Sequence, residues 1–225
     1  MIAGGDWFHG RWLVALEHGR GVTSLREMRN LGEVLDWKEL GVLVIDIPIG
    51  LPERGSRSCD TLARGAIRPR GSSLFPAPIR PVLNATTHKE ACRIFESIEG
   101  KRCSIQAFSI YSIIAGVDRH ISPEIQGRIR EGHPELSFAY MNGGVGLAYA
   151  KSKPEGQQKR IELLEPHFPG LRGHIARLRQ RRATIDLLDA FSMLWTARRV
   201  RAGEAISIPD RPEYDSRGLR MEIVV

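Results

Sequence analysis

The stretch Gly41-Val42-Leu43-Val44-Ile45-Asp46-Ile47-Pro48 constrains the fold of this chain more than any other. A run apolar on every residue reads as a strand buried on both faces, and such strands are parallel and central in a sheet. Asp46 closes the run, and Pro48 and Pro52 then break the chain. A charge at that point is costly unless something pairs with it. In open α/β sheets the carboxyl ends of the strands are also where ligands bind.

The segments on either side of this strand supply the rest of an α/β pattern. Ile2–Asp6, residues 12–16 and residues 22–25 read as a three-stranded meander, with a turn over His18-Gly19-Arg20-Gly21. Residues 31–39 have the spacing of one short helix. After the buried strand, residues 86–99 and 106–116 are helical in pattern, and 128–136 read as a strand leading into His133-Pro134-Glu135. Residues 155–167 read as a helix, and 171–182 as an amphipathic one carrying Arg172, Arg177, Arg179, Arg181 and Arg182. Thr184 is the expected N-cap of a last long helix with Ile185, Leu188, Phe191, Leu194 and Trp195 on one stripe, ended by Gly203. The tail from Gly218 to Val225 alternates as a strand. No repeat, low-complexity tract or linker interrupts the 225 residues, so one domain is expected, with residues 50–126 as an arginine-rich helical insertion after the fourth strand.

Carboxylates recur at the functional ends of these elements. If strands 2–6 and 41–46 are adjacent and parallel, Asp6 and Asp46 lie side by side. Two such carboxylates raise one another's pKa unless a cation lies between them. Asp186 and Asp189, three apart on the last helix, are neighbours on one stripe. Glu135 follows a later strand. Each has an ordinary reading as well: a turn residue for Asp6, a cap or a core pair for Asp46, a dipole-favoured first-turn residue for Asp186, a surface charge for Glu135. The joint order strand-Asp, strand-Asp, helix-Asp is harder to reach by accident. Converging carboxylates suit a hard cation, Mg²⁺ or Mn²⁺, and two-metal hydrolysis of phosphodiesters.

Arg57, Asp60, Arg64 and Arg70, followed by Ser72 and Ser73, surround the exit of the buried strand. They read either as donors for phosphate oxygens or as a solvated helix face with an Asp60–Arg64 pair. His133 reads either as a ligand or general base beside Glu135 or as a structural histidine. Trp7 could stack on a base, whereas Trp12 reads as core. The net charge of +7, with Arg far outnumbering Lys, fits a polyanionic partner and equally a GC-rich genome. The chain lacks a P-loop, a G-x-G-x-x-G opening a helix, an H-E-x-x-H and a C-x-x-C, against a P-loop NTPase, a Rossmann dehydrogenase, a zincin and a zinc ribbon. No segment approaches the roughly 18 apolar residues of a membrane span. With no basic-then-apolar start and with Cys59, Cys92 and Cys103 odd in number, a cytoplasmic location with reduced, buried or half-buried thiols is expected.

Several strings together resemble the DUF429 family. They are Asp46-Ile47-Pro48-Ile49-Gly50-Leu51-Pro52, Arg57-Ser58-Cys59-Asp60 with Ala63-Arg64, Arg70-Gly71-Ser72-Ser73-Leu74-Phe75-Pro76-Ala77-Pro78, Ser104-Ile105-Gln106, His133-Pro134-Glu135-Leu136-Ser137-Phe138, and Asp186-Leu187-Leu188-Asp189-Ala190 with Trp195-Thr196-Ala197. The resemblance spans nearly the whole chain in order. It implies a ribonuclease H-like fold: a mixed central sheet flanked by helices. It also implies nuclease activity, with metal held by Asp6, Asp46 and Asp189, helped by Asp186 or Glu135. Arg57, Arg64, Arg70, Ser72, Ser73, Gln106 and His133 become the expected substrate contacts. Trp7 stands where that family tends to have glycine, and its bulk is expected to narrow the metal site.

The expectation is therefore a metal-dependent phosphodiesterase acting on DNA or RNA, with no membrane association. The alternatives are a non-catalytic nucleic-acid-binding or assembly module with a vestigial acidic site, and an actin- or sugar-kinase-like phosphotransferase. The latter usually needs a duplicated domain and glycine-rich phosphate loops.

Overall fold

A computed structural model describes residues 1–8, 10–178 and 181–225. The chain begins with strands β1 (Ile2–Phe8), β2 (Arg11–Glu17) and β3 (Thr23–Met28), a short helix α1 (Gly32–Leu35), and β4 (Val42–Ile45). Helices α2 (Ser58–Ala66), α3 (His88–Glu99) and α4 (Ile105–His120) precede β5 (Ile129–Glu131). Then follow α5 (Pro134–Met141), α6 (Pro154–Leu164), α7 (Leu171–Ala176), α8 (Arg181–Ala202), β6 (Ser207–Tyr214) and β7 (Arg220–Val224).

The main sheet has the order β3-β2-β1-β4-β5. β1, β4 and β5 run parallel, while β2 is antiparallel to both of its neighbours. This five-stranded mixed sheet between helical layers is compatible with a ribonuclease H-like fold. The apolar run of β4 is buried on both faces, as its composition requires. Val42 and Val44 join one core with Ile2, Leu13 and Ala15, under α2, α5 and α8. Leu43 and Ile45 join the other with Ala3, Trp12, Val14 and Leu16, under α1 and α4. Residues 50–126 therefore contribute helices to both faces of the sheet.

Gly4 decides how α8 lies. A Cβ there would stand 2.0 Å from the Leu194 nitrogen and 2.4 Å from the Ala190 carbonyl oxygen. Only a residue without a side chain lets the α8 backbone rest directly on β1. Asp6, two residues on, points to the same face of the strand, and Asp189 precedes Ala190 on the helix. One close approach thus brings strand carboxylate and helix carboxylate together.

Several expected boundaries differ. Residues 128–136 are not one strand: β5 ends at Glu131, and Pro134 occupies the first turn of α5, where its missing N–H costs nothing. Glu135 is therefore a first-turn helical residue. The segment 171–182 is not one helix; α7 ends at Ala176 and α8 starts at Arg181, three residues before the expected cap Thr184. Arg172 and Arg177 are exposed, and Arg179 lies outside the described residues. From Leu187 to Ala197 every α8 residue is buried, so the helix is central rather than one-sided. The helix expected over 31–39 shortens to α1. The tail strand pairs with β6 in a separate two-stranded sheet. Gly203, at φ +72°, ends α8 in the left-handed conformation that glycine tolerates. Among the described residues no helix is long and apolar enough to cross a membrane.

Candidate active site

The parallel register sets Gly5 beside Ile45, and the Asp46 N–H donates to the Gly5 carbonyl at 3.3 Å. Asp6 and Asp46 are thus neighbours at the carboxyl edge of the sheet. β1 continues past Asp6 to Phe8, while Asp46 lies just beyond β4. Both open into a cleft of about 220 Å³ whose walls include Trp7, Phe75, Ile110 and Ile113, with His133 and Ser73 also exposed to it. Trp7 packs edge-on against the buried Trp12, with ring centroids 5.5 Å apart, so its bulk forms a wall of the cleft.

Asp189 is fully buried and does not itself line the cleft. One of its oxygens accepts from Lys151 Nζ at 2.5 Å, and the other, Oδ1, is buried with no hydrogen-bond partner. Burial pushes the Asp6 carboxyl well above the usual range, and the charges of Asp189, Asp46 and Asp186 push the same way. Burial, then Asp189 and Glu135, push Asp46 up to about 7 against the pull of Lys151. Asp189, followed by Asp6 and Asp46, holds the Lys151 ammonium well above its ordinary range. Five carboxylates and one ammonium therefore share one field.

Lys151 was not singled out from the sequence, and the structure shows what places it. Arg160 donates to both oxygens of Glu135 at 2.6 and 2.7 Å, and to the carbonyls of Tyr149 and Gly156. A Cβ at Gly156 would stand 2.0 Å from the Ala150 carbonyl oxygen. This buried pair and this close contact press the loop bearing Lys151 onto α5 and α6. Glu135 is thus committed to Arg160 and acts on the cluster by its field.

The expected substrate contacts separate into four groups. His133 and Ser73 reach the cleft. Burial pushes His133 down to about 4, so it is neutral at pH 7, and its Nδ1 is buried without a partner. Arg57 also borders the cleft, but every donor of its guanidinium is engaged. It bonds Asp60, Glu131 and the carbonyls of Ile49 and Gly50. Asp60 in turn accepts from the Ala77 N–H, and Glu131 from the Ile49 N–H. Arg57 is a buried cross-link that fastens the 46–57 and 74–77 loops to β5, with no donor to spare for phosphate. It also takes Asp60 as its partner in place of the Asp60–Arg64 pairing. Arg64 and Ser72 line a separate shallow groove with Thr61 and Arg68. Gln106 is exposed in the first turn of α4, and Arg70 is half-buried; neither lines the acidic cleft.

The donor set of Asp6, Asp46 and Asp189 is all carboxylate oxygen, which fits a hard divalent cation. The orphaned Asp189 Oδ1 and the mutual repulsion of the three fit one as well. Lys151 holds part of that role in the arrangement described. Among the described residues, the one trio of ligating side chains with donor atoms all within 4.8 Å is elsewhere, at His88, Cys92 and Cys103.

Residues 4–214 match the family model described as "Protein of unknown function (DUF429)", which covers most of the chain, and the chain belongs to that family. No curated protein and no solved structure matches it.

Proposed function

We propose that this DUF429 member is a divalent-metal-dependent nuclease that hydrolyses phosphodiester bonds of nucleic acid, with Mg²⁺ or Mn²⁺ held by Asp6, Asp46 and Asp189. The observation that carries the reading is the meeting of two carboxylates, at the point where the β1–β4 pairing ends, with a buried helix carboxylate whose Oδ1 has no partner. A divalent ion bound there would supply Lewis-acid polarisation of the phosphoryl group and a more acidic water. The chain's own groups fit the remaining work. Neutral His133 can orient a water without adding charge. The Ser73 hydroxyl can donate to a phosphate oxygen, and the faces of Trp7 and the 59% exposed Phe75 can stack on bases.

Calorimetric titration with Mn²⁺, paired with cleavage of labelled single- and double-stranded DNA and RNA, tests the proposal. Wild type is expected to bind Mn²⁺ and to cleave at least one substrate only when the ion is present, and Asp46→Asn is expected to do neither. A folded wild type that binds no Mn²⁺ and cleaves nothing would overturn it.

The ion pair between Lys151 and Asp189 favours a second reading, a nucleic-acid-binding module whose acidic site is closed by its own lysine. Its mark would be oligonucleotide binding with a steep salt dependence that a chelator leaves unchanged.

A further inference from the structure

Away from the acidic cleft, two thiols and an imidazole meet where the first turns of α3 face the residue before the α4 N-cap. His88 and Cys92 are four apart on α3 and so share one face of the helix. Cys103 precedes Ser104, the N-cap of α4. His88 Nε2 lies 3.3 Å from Cys92 Sγ, and Cys92 Sγ lies 3.6 Å from Cys103 Sγ. All three donor atoms fall within 4.8 Å of one another, with Cys92 buried and the other two half-buried.

We propose that His88, Cys92 and Cys103 form a site for a soft or borderline divalent ion, Zn²⁺ by preference, independent of the carboxylate cleft. Zinc–sulfur bonds of about 2.3 Å and zinc–nitrogen bonds of about 2.0–2.1 Å, set at the tetrahedral angle, give S···S and N···S edges of about 3.8 and about 3.6 Å. The two edges that meet at Cys92 Sγ fall short of those by about 0.2–0.3 Å, a gap that small side-chain rotations close. Two thiolates with one imidazole select Zn²⁺ over Mg²⁺ or Mn²⁺, which the oxygen-only cleft prefers. Loading forms two Zn–S bonds and one Zn–N bond and releases one proton from each thiol to the buffer. The ion takes the place of the present contacts from His88 Nε2 and Cys92 Sγ to the Cys103 carbonyl. The fourth position is open to water, because His88 and Cys103 are only half-buried.

The surroundings support a built site. The His88 ring packs on Phe108 at 5.7 Å between centroids, and Phe108 packs edge-on against the buried Tyr111 at 5.9 Å. Such neighbours orient ligands and limit solvent. An ion here would pin the first turn of α3 to the start of α4. That second helix carries Ile110 and Ile113 into the wall of the acidic cleft, so the clip would steady the cleft from outside.

Cobalt titration of the reduced full-length protein, in a non-thiol reductant, tests this. One equivalent of Co²⁺ is expected to produce an intense near-ultraviolet thiolate-to-cobalt band with tetrahedral d–d bands, which Zn²⁺ then bleaches. Asp46→Asn should keep the band. Cys92→Ala and Cys103→Ser, each checked as folded by circular dichroism, should lose it and bind at least tenfold more weakly. A folded, fully reduced wild type with no charge-transfer band at one equivalent would overturn the proposal. So would a band that survives unchanged in Cys92→Ala. Neither result bears on Mn²⁺ binding by the carboxylates.

Discussion

Asp46→Asn is expected to stabilise the protein at pH 8 when no divalent ion is present. The Asp46 carboxyl titrates at about 7 in the folded chain against an ordinary 3.8. Between those values the folded state binds a proton that the unfolded chain has already released. Stability therefore falls as pH rises from about 4 to about 7 and stays at the lower level above it. At about 1.4 kcal/mol per tenfold change in acidity, the ionised carboxylate costs the fold up to about 4 kcal/mol. Asp46 is partly exposed, and solvent screening brings the figure to about 2–3 kcal/mol. Asparagine keeps the shape and carries no charge at any pH. Urea unfolding followed by tryptophan fluorescence, in chelator at pH 4.5 and pH 8, isolates the effect, since other titrating groups largely cancel between the two proteins. The variant should exceed wild type by about 2–3 kcal/mol at pH 8 and by only about 1 kcal/mol at pH 4.5, where the unfolded carboxyl has begun to ionise. Asp6 shares the field, so the transition belongs to the cluster rather than to one residue. Excess Mn²⁺ should stabilise wild type alone and reverse the order. A variant no more stable than wild type at pH 8 would refute the reasoning, because Lys151 would then already compensate Asp46.

Lys151→Met removes the cation that faces Asp189, Asp6 and Asp46. A loss of about 1–2 kcal/mol at pH 8 is expected, below the figure for a fully buried pair because the lysine side chain is 46% exposed. Thermal melts should show the loss in chelator, a smaller one at pH 5, and recovery in Mn²⁺. Arg57→Met leaves Asp60 and Glu131 buried without their partner, and denaturant titration should show a loss of about 3–5 kcal/mol. Gly4→Ala drives a methyl group into the α8 backbone and should cost about 3 kcal/mol or more. Calorimetry should also show its Mn²⁺ binding lost, although no carboxylate has changed.

The strands that carry the site were legible because each signal was local. The unbroken apolar run before Asp46 read as a strand covered on both sides, while its parallel pairing with Ile2–Asp6 stood as a condition that the register meets. What escaped depended on distant partners. Lys151 sits in a loop without periodicity, and its place is set by Arg160, Glu135 and Gly156 together. Arg57 carries the residue type of a phosphate ligand, and only the positions of Asp60 and Glu131 show that its donors are taken. β5 read too long because His133-Pro134 continues as extended chain until the proline is recognised as the first turn of a helix. β6 was hidden by Pro209 and Pro212, which speak against a central strand and are tolerated in a two-stranded ribbon. Cys92 and Cys103 read only as reduced, buried or half-buried thiols, and His88 drew no reading, because the three donors meet only once the chain after α3 folds back beside its first turns.

The arginines sort the carboxylates around the cleft by what they leave alone. Glu135 is closed by Arg160, and Asp60 with Glu131 by Arg57. Each pair is buried, and each ties a loop to a neighbouring element. Among the described residues no hydrogen bond or ion pair of under 4 Å reaches the side chains of Asp6 or Asp46, although burial makes their charges the more costly to hold. A fold with this many arginines could neutralise two strand-end carboxylates as easily as it does the other three. Leaving them open carries a stability cost that packing does not offset, and such costs collect where a bound group will answer them. Removing charge at Asp60, Glu131 or Glu135 should therefore weaken the fold whatever ion is present. Removing it at Asp6 or Asp46 should strengthen the ion-free fold and weaken only what the ion supports. These two opposite responses to one kind of substitution separate structural from functional carboxylates without any assay of substrate.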